Sequence, residues 1–366
     1  MLNLNVPVNP VSFGQVGFNL LKQAYKLGEE VTLFPIHQID PSAFKVDAGF
    51  SEWVQSSIGR VEENFNRENP TLKLWHINGL FDSVGSNPYA FTFHETDRLT
   101  KQEITILRSL KGVFVSSRYT KKVFEDHGIE NVIYCPLGFD TNHFHEEDVP
   151  VDEGVVVFGL RGKLEKRKHT VKVLLAWAKE FGGDPAYRLD CSIFNQFLDP
   201  AHQNQIVGQA FADAGMEAPW NMNFLPMQPR NEDYNLTLNA SHIDLTGMSG
   251  CEGFNLPFFQ SLCLGKHAVA LDAHVHKDFA DKENSSLVNP SGMIDVYDGI
   301  FFQQGAPFNQ GQIFDWKDED FISACHDAIQ RYKEEPVNFK GQKLKYEFSY
   351  KRTWGIIKEN LTSKHL

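Results

Sequence analysis

Residues 250–265 read Gly-Cys-Glu-Gly-Phe-Asn-Leu-Pro-Phe-Phe-Gln-Ser-Leu-Cys-Leu-Gly. A strand-like stretch, His242-Ile-Asp-Leu-Thr246, leads into this string, Glu252 falls in the turn, and a helix is predicted to follow. Pro257 suits the first helical position, where its missing N–H costs nothing. Gln260 falls in about the first turn, and Gly265 is a natural stop. A carboxylate before a helix N-terminus, beside free backbone N–H groups, can hold a polyhydroxy ligand that also carries phosphate. Glu252 is therefore the first candidate for chemistry. The backbone of Gly253, Phe254, Asn255 and Leu256 supplies the adjacent donors, and an ordinary strand-turn-helix is the bland alternative.

A second string, Phe158-Gly-Leu-Arg-Gly-Lys-Leu-Glu-Lys-Arg-Lys-His169, sits between a predicted strand and a predicted helix, Val171–Trp177. Arg161, Lys163, Lys166, Arg167 and Lys168 crowd around a single acid, Glu165, in a chain whose net charge is −12. A local reversal of sign at a strand-to-helix turn is where a phosphate site belongs; a solvated loop is the alternative. His94-Glu95 follows the strand-like Phe91-Thr-Phe, at a carboxyl end where an α/β protein places polar ligand contacts. His76 has a similar position with less behind it. Ser12-Phe-Gly14-Gln15-Val-Gly17 opens a helix but lacks the full dinucleotide fingerprint, and no acid ends the next strand, which disfavours a nicotinamide site. Asp318-Glu-Asp320 has metal-like spacing, yet it starts a helical pattern and reads as dipole complementarity. No metal site is expected.

The 250–265 string resembles the Glu-Gly-Phe-Gly-Leu-Pro…Glu signature of retaining GT-B-fold glycosyltransferases, the group that includes glycogen synthase-like enzymes. Glu252 matches the first acid and Gln260 replaces the second. The cationic string resembles the same family's Gly-Arg-x-x-x-x-Lys-Gly loop. Lys163 takes the Arg position, Lys168 the Lys position, and His169 stands where Gly is usual. Arg161 and Arg167 compete with them for contact with the donor's diphosphate. The resemblance implies that Glu252 binds donor-sugar hydroxyls and that Gln260 can still bond ribose. It implies that His94 contacts donor sugar or phosphate, and that Gly14 and Gln15 lie where the backbone approaches the donor phosphates. It covers nearly the whole chain and is weakest over 195–235, where the base would dock.

These residues need elements to position them. Val16, Leu20, Ala24 and Leu27 recur at helical spacing up to Gly28, and Val31–Phe34 reads as a strand. Further short strands are predicted at 72–77, 90–94, 112–117 and 132–136, then at 155–159, 188–194, 242–246 and 268–272. Strands alternating with helices argue for parallel sheets. The polar, acidic stretch 141–154 reads as a linker. The expected fold class is α/β: two doubly wound Rossmann-like domains with a cleft between them. The resemblance implies that residues 1–150 form an acceptor-side domain, 151–345 a donor domain, and 346–366 a tail helix crossing back in the GT-B manner.

Composition bounds the function. The 366 residues suffice for two domains, and 42% apolar with 22% charged residues is globular. The acidic balance disfavours a protein that grips nucleic acid with its whole surface. Five scattered cysteines suggest neither a disulfide frame nor zinc, and a reducing, cytoplasmic setting fits. No apolar run reaches the ~20 residues needed to span a bilayer, and the N-terminus is not a signal peptide. The function that the resemblance implies is metal-independent, retaining transfer of a sugar from a nucleoside-diphosphate sugar to a hydroxyl, with no cofactor. The acceptor is open among a glycan, a lipid-linked glycan, a protein, a small molecule and, against the acidic charge, a modified DNA base. A non-catalytic nucleotide-sugar or glycan-binding homologue and a nucleotide-sugar epimerase are the alternatives.

Overall fold

The computed structural model describes residues 1–362. The first sheet contains β1 (Leu2–Val6), β2 (Val31–Pro35), β3 (Pro70–Leu74), β4 (Asn87–Thr92), β5 (Gly112–Val115) and β6 (Val132–Tyr134). All pairings are parallel, in the order β2-β1-β3-β4-β5-β6. The second contains β7 (Val156–Arg161), β8 (Tyr187–Ser192), β9 (Met222–Phe224), β10 (Ile243–Gly247), β11 (His267–Leu271) and β12 (Ser286–Val288), again parallel, in the order β12-β11-β10-β7-β8-β9. Strand order reverses once in each sheet, between β1 and β3 and between β7 and β10. Ligands of such sheets bind beyond the carboxyl ends of the strands at that reversal.

β1, β5, β7, β10 and β11 are buried end to end, as expected for parallel strands covered by helices on both faces. The central strand β1, Leu-Asn-Leu-Asn-Val, is not among those that apolar patterning predicts, because two asparagines break its run. Their amide nitrogens find acceptors in the core. Asn3 Nδ2 donates to Thr71 Oγ1 at 3.1 Å, and Asn5 Nδ2 to Phe34 O at 2.8 Å.

Between Tyr134 and Val156 the chain has only a single bridge, Phe139 to Ser349. The last described helix, Tyr350–Thr362, lies against the Ser12–Lys26 helix. Tyr350, Trp354, Ile357 and Leu361 share a core with Leu20, Leu21 and Ala24. Thr353 Oγ1 donates to Pro136 O at 2.8 Å, and Lys358 pairs with Glu29. Residues 363–366 of the expected tail lie outside the described residues.

One element was not expected. An antiparallel hairpin, β13 (Gly292–Asp295) and β14 (Gln312–Asp315), projects after β12 with a long loop. Its base packs Val296, Phe302 and Ile313 on Cys251 of the second domain. Its return strand and loop reach the first domain. Gln312 N donates to Asp97 Oδ1 at 2.6 Å, Thr100 Oγ1 to Pro307 O at 2.7 Å, and Asn309 N to Glu103 Oε1 at 2.9 Å. The arm therefore straps the two domains together along one side of the cleft. The following helix, Asp318–Glu334, has Asp318, Glu319 and Asp320 in its first turn. Asp318 pairs with Lys179 at 3.0 Å.

Candidate active site

Glu252 sits in the loop beyond β10, at the reversal of the second sheet, and is 4% exposed. Its Oε2 accepts from Arg167 Nη1 at 2.8 Å, and its Oε1 from Ser249 Oγ at 2.9 Å and from Lys168 Nζ. Burial alone would raise its pKa. Arg167 and Lys168 outweigh that and hold the carboxyl well below its ordinary value, so it is ionised. Behind it, His274 Nε2 contacts Ser249 O at 2.9 Å, which braces the residue that braces Glu252.

Arg167 is buried among three carboxylates and a carbonyl. Nε and Nη2 face Glu165 at 3.3 and 3.4 Å, Nη1 also donates to Cys251 O at 2.6 Å, and Nη2 lies 3.1 Å from Glu95 Oε1. A planar fork can satisfy several acids at fixed angles, which an ammonium cannot. Burial raises the pKa of Glu95, with Arg167 pulling it down and Glu165 and Glu252 pushing it up. Arg167 thus acts as the buried clamp of the site, joining Glu95 of the first domain to Glu252 of the second.

The other cations of the loop separate into distinct roles. Lys163 has no carboxylate partner among the described residues, and its Nζ lies 4.8 Å from the Phe197 ring centroid. Desolvation lowers its pKa. Lys168 leans on Glu252, and Lys166 Nζ donates to Tyr297 O in the hairpin arm at 2.9 Å. Arg161 does not join them. β7 runs two residues beyond the expected strand end, and this turns the Arg161 guanidinium into the domain interior. There it meets Asp244 Oδ2 at 2.9 Å, Thr237 O at 2.6 Å and Ser241 Oγ at 2.9 Å. Its expected contact with donor is corrected to a structural ion pair.

At two positions where the resembled signature has glycine, this chain holds the left-handed backbone with other residues. His169 is left-handed, with φ 53°, a region where glycine carries no steric penalty. Its ring contacts Phe314 O at 2.7 Å and stands edge-on to Trp316. Asn255, φ 69°, starts the Leu256–Cys263 helix, and its Nδ2 donates to Thr246 O at 3.0 Å. Asparagine tolerates this region better than most side chains.

The Phe254 side chain packs on Phe259 and Phe279, at 5.1 and 5.4 Å, so only its backbone is available to a ligand. Pro257 and Leu256 lie in the helix's first turn, leaving N–H groups there without helical acceptors. Gln260 lies in the second turn, and its side-chain amide has no partner among the described residues. Gly253 abuts the first domain: its carbonyl accepts from Ser116 Oγ at 2.6 Å.

On the first domain, His94 is buried and its Nε2 lies 3.0 Å from both Arg98 O and Thr96 Oγ1; burial lowers its pKa. The structure anchors its ring within its own loop, and Glu95 is the member of the pair that crosses the cleft. Gln15 exchanges two amide hydrogen bonds with Asn231, both 2.9 Å, and so also joins the domains. Gly14 is packed so closely on Asn9 that a β-carbon would collide with it. Sequence reasoning missed Ser249, Glu165, His274 and Phe197 as site residues. The only signals for them were proximity to the motif acid and to the cation string.

Two six-stranded parallel-sheet domains with helices on their faces make this the GT-B fold. The chain shares it with sucrose-phosphate synthase from Thermosynechococcus elongatus at TM-score 0.68 and 12% identity, covering 100% of this chain and 98% of that one. Anabaena HepE in complex with UDP-glucose superposes at 0.64 with 12% identity and 99% of each chain covered. The catalytic domain of Arabidopsis thaliana starch synthase IV, bound to ADP and acarbose, gives 0.66 with 11% identity, covering 99% of this chain and 98% of that one. No family model and no curated protein sequence matches. Among the described residues no helix is long and apolar enough to cross a membrane, and no group of three or more His, Cys, Asp or Glu could hold a metal.

Proposed function

We propose that this chain is a glycosyltransferase that moves a sugar from a nucleoside-diphosphate sugar to an acceptor hydroxyl, with retention of configuration and without a metal in the transfer step. The observation that carries the reading is Glu252, held ionised between Arg167 and Lys168 at the reversal of the second sheet, with Lys163 of the same loop lacking a carboxylate partner among the described residues. The UDP-glucose and ADP carried by proteins of the same fold support a nucleotide-sugar donor.

Each residue has a task. As the bond from the anomeric carbon to the diphosphate breaks, charge develops on the leaving oxygen. Lys163, Lys168 and the N–H groups at the Leu256–Cys263 helix start stabilise it. Lys168 turns from Glu252 toward phosphate as the donor enters. Glu252 accepts from sugar hydroxyls and faces the positive charge that grows on the ring. The acceptor oxygen bonds the anomeric carbon on the face the diphosphate leaves, and the acceptor proton departs on that phosphate. Arg167 keeps Glu252 ionised and placed, and Gln260 offers its amide to the ribose. The strapped cleft limits water, and so limits hydrolysis.

The test is thermal stability against a panel of nucleoside diphosphates and their sugars, followed by transfer assays with chelator present and anomeric analysis of product. A ligand at 100 times its dissociation constant adds about 2.7 kcal/mol. Stabilisation by one nucleotide series, abolished in Lys163→Ala, is the expected result. Nucleotide binding without transfer to any acceptor would indicate the non-catalytic homologue, and no binding at all would reject the reading.

A further inference from the structure

The short turn His274–Asp278, which follows β11, reaches the Glu252 loop at two points and the first domain at a third. His274 Nε2 donates to Ser249 O at 2.9 Å, and His276 Nε2 lies 2.9 Å from Asn255 Nδ2. Asp278 Oδ2 accepts at 2.9 Å from Arg118 N, at the start of a first-domain helix. The second of these contacts falls on the left-handed residue where the loop turns into the Leu256–Cys263 helix.

Two carbonyls fix where the protons of that contact lie. Asn255 Nδ2 also donates to Thr246 O at 3.0 Å, so the amide nitrogen, not its oxygen, faces this side. An amide nitrogen only donates, which makes His276 Nε2 the accepting nitrogen. The ring proton is then on Nδ1, which donates to Leu271 O at 3.2 Å. His276 is 1% exposed, and its ring lies 4.2 Å from His274 and 5.0 Å, edge-on, from Phe258. Burial, with His274 beside it, lowers its pKa well below the ordinary value and keeps the ring neutral.

The contact constrains the backbone. Asn255 has φ 69° and ψ 62°, a region that carries a steric cost for an L residue. Both hydrogens of its amide are bonded, one to Thr246 O and one to His276. Rotation of residue 255 toward the ordinary helical region would carry the amide off both acceptors and swing the N–H groups that follow. The resembled signature has glycine here, with no side chain to tether.

We propose that His276 is a positioning residue for sugar transfer: acting through Asn255, it fixes the backbone at the start of the Leu256–Cys263 helix, so that the free N–H groups there meet the donor's diphosphate. The proposal rests on the glycosyltransferase reading above. His276 is buried behind the loop, and it acts on the donor by way of Asn255.

The test is a double-mutant cycle read by calorimetry. UDP, ADP, GDP, CDP and dTDP are titrated into the wild-type chain. The tightest binder is carried to Asn255→Gly, His276→Met, the two combined, and His276→Gln. Glycine accepts the left-handed backbone without strain, and glutamine offers one accepting oxygen and one donating nitrogen in the imidazole's place. Asn255→Gly and His276→Met should each weaken binding roughly tenfold, the scale of one or two lost hydrogen bonds. The double variant should bind no more weakly than the worse single one, and His276→Gln should bind like the wild type. Losses from packing alone, independent at the two positions, would multiply. Heteronuclear NMR of isotope-labelled histidine, with His276 assigned by its absence from His276→Gln, should place the ring proton on Nδ1. Undiminished binding in either single variant, multiplied losses, no rescue by glutamine, or a proton on Nε2 each overturns the proposal and leaves the donor reading standing. If His276→Met does not fold, Asn255→Gly, His276→Gln and the tautomer decide. A wild-type chain that binds no nucleoside diphosphate rejects the donor reading, and the proposal with it.

Discussion

Arg167 of the second domain and Glu95 of the first meet across the interdomain cleft, Nη2 to Oε1 at 3.1 Å. The same guanidinium holds Glu252 at 2.8 Å and Glu165 at 3.3 Å. One residue therefore sets the position of the proposed catalytic carboxylate and ties it to the opposite domain. The first domain's share of the site is in this way coupled to the second without any ligand.

Arg167→Lys should be severe despite keeping the charge. A lysine ammonium cannot reach three carboxylates and the Cys251 carbonyl together, and breaking a buried pair typically costs about 3–5 kcal/mol. Urea unfolding at pH 7 should show a loss of that order. Transfer should fall with it, since Glu252 loses its placement. A variant as stable as the wild type would show that the clamp is not needed.

Lys163→Ala should separate binding from stability. Lys163 has no carboxylate to leave behind, only the Phe197 ring at 4.8 Å. A partly exposed cation–π contact is worth about 0.5–1 kcal/mol, so the melting temperature should barely move. A lost hydrogen bond to a charged group is worth about 1.5–3 kcal/mol, so calorimetry should find nucleoside diphosphate bound roughly 10–100-fold more weakly. Unchanged affinity would remove Lys163 from the phosphate site.

Much of this was legible in the chain. The two parallel-sheet domains follow from alternating strand and helix signals, and the GT-B form and the Glu252 turn from an ordered string of residues that resembles that family's signature. Three features were not legible, each for a physical reason. β1 was hidden because Asn3 and Asn5 hold core positions through hydrogen bonds that only tertiary partners supply. Arg161 and Arg167 are equivalent cations in sequence. Two further residues of strand turn the first into a pair with Asp244, while the short turn Lys166–Lys168 aims the second at Glu252. The hairpin arm has few apolar residues in alternation, and its contacts with Asp97, Thr100 and Glu103 lie about two hundred positions away.

The arm leads to a prediction about motion. Asp97 accepts from Gln312 N at 2.6 Å, and its own N donates to Gln312 O at 3.3 Å. Asp97→Ala leaves the Gln312 N–H without its side-chain acceptor and loosens the strap. Amide hydrogen exchange should rise across 296–312 and in the 97–103 loop, with the cores of both sheets unaffected, because local opening is governed by local contacts. Exchange unchanged in both segments would mean that the arm is held by its apolar base alone.

His169→Gly restores the residue usual in the resembled loop, yet it should destabilise. Glycine relieves the left-handed strain, about 1–2 kcal/mol. It also loses the contact with Phe314 O at 2.7 Å and the packing on Trp316. A buried carbonyl left unbonded costs about 1–3 kcal/mol, and the lost ring surface adds roughly 1.5–3 kcal/mol. The net loss in chemical unfolding should be on the order of 1–3 kcal/mol by the same magnitudes. Nucleotide affinity should hold, because the imidazole faces the hairpin rather than the cleft. A stabilised variant would show that strain dominates at this position.

Acid should unfold the protein in two stages, set by groups whose pKa is depressed in the fold. Burial keeps His242 and His274 neutral, each lowered to about 4, with His276 lowered further by burial and by His274 beside it. The stability linked to these neutral rings is fully present above their unfolded pKa, about 6.5. It declines as pH falls below that value, because the unfolded chain then binds protons the folded one refuses. Glu252 follows at lower pH. Arg167 and Lys168 hold its pKa below the ordinary value despite burial, so its contribution is whole above about pH 4.3 and is lost as pH falls through the folded value. Melting temperature should therefore decline from pH 6.5 downward in the wild type. Glu252→Gln should be less stable at pH 7, where Arg167 and Lys168 lose their counter-charge. The gap between variant and wild type should stay constant from pH 7 to 5 and narrow below pH 4. A gap that instead closes between pH 7 and 5 would mean that Glu252 is not ionised by its two cations in the way its surroundings dictate.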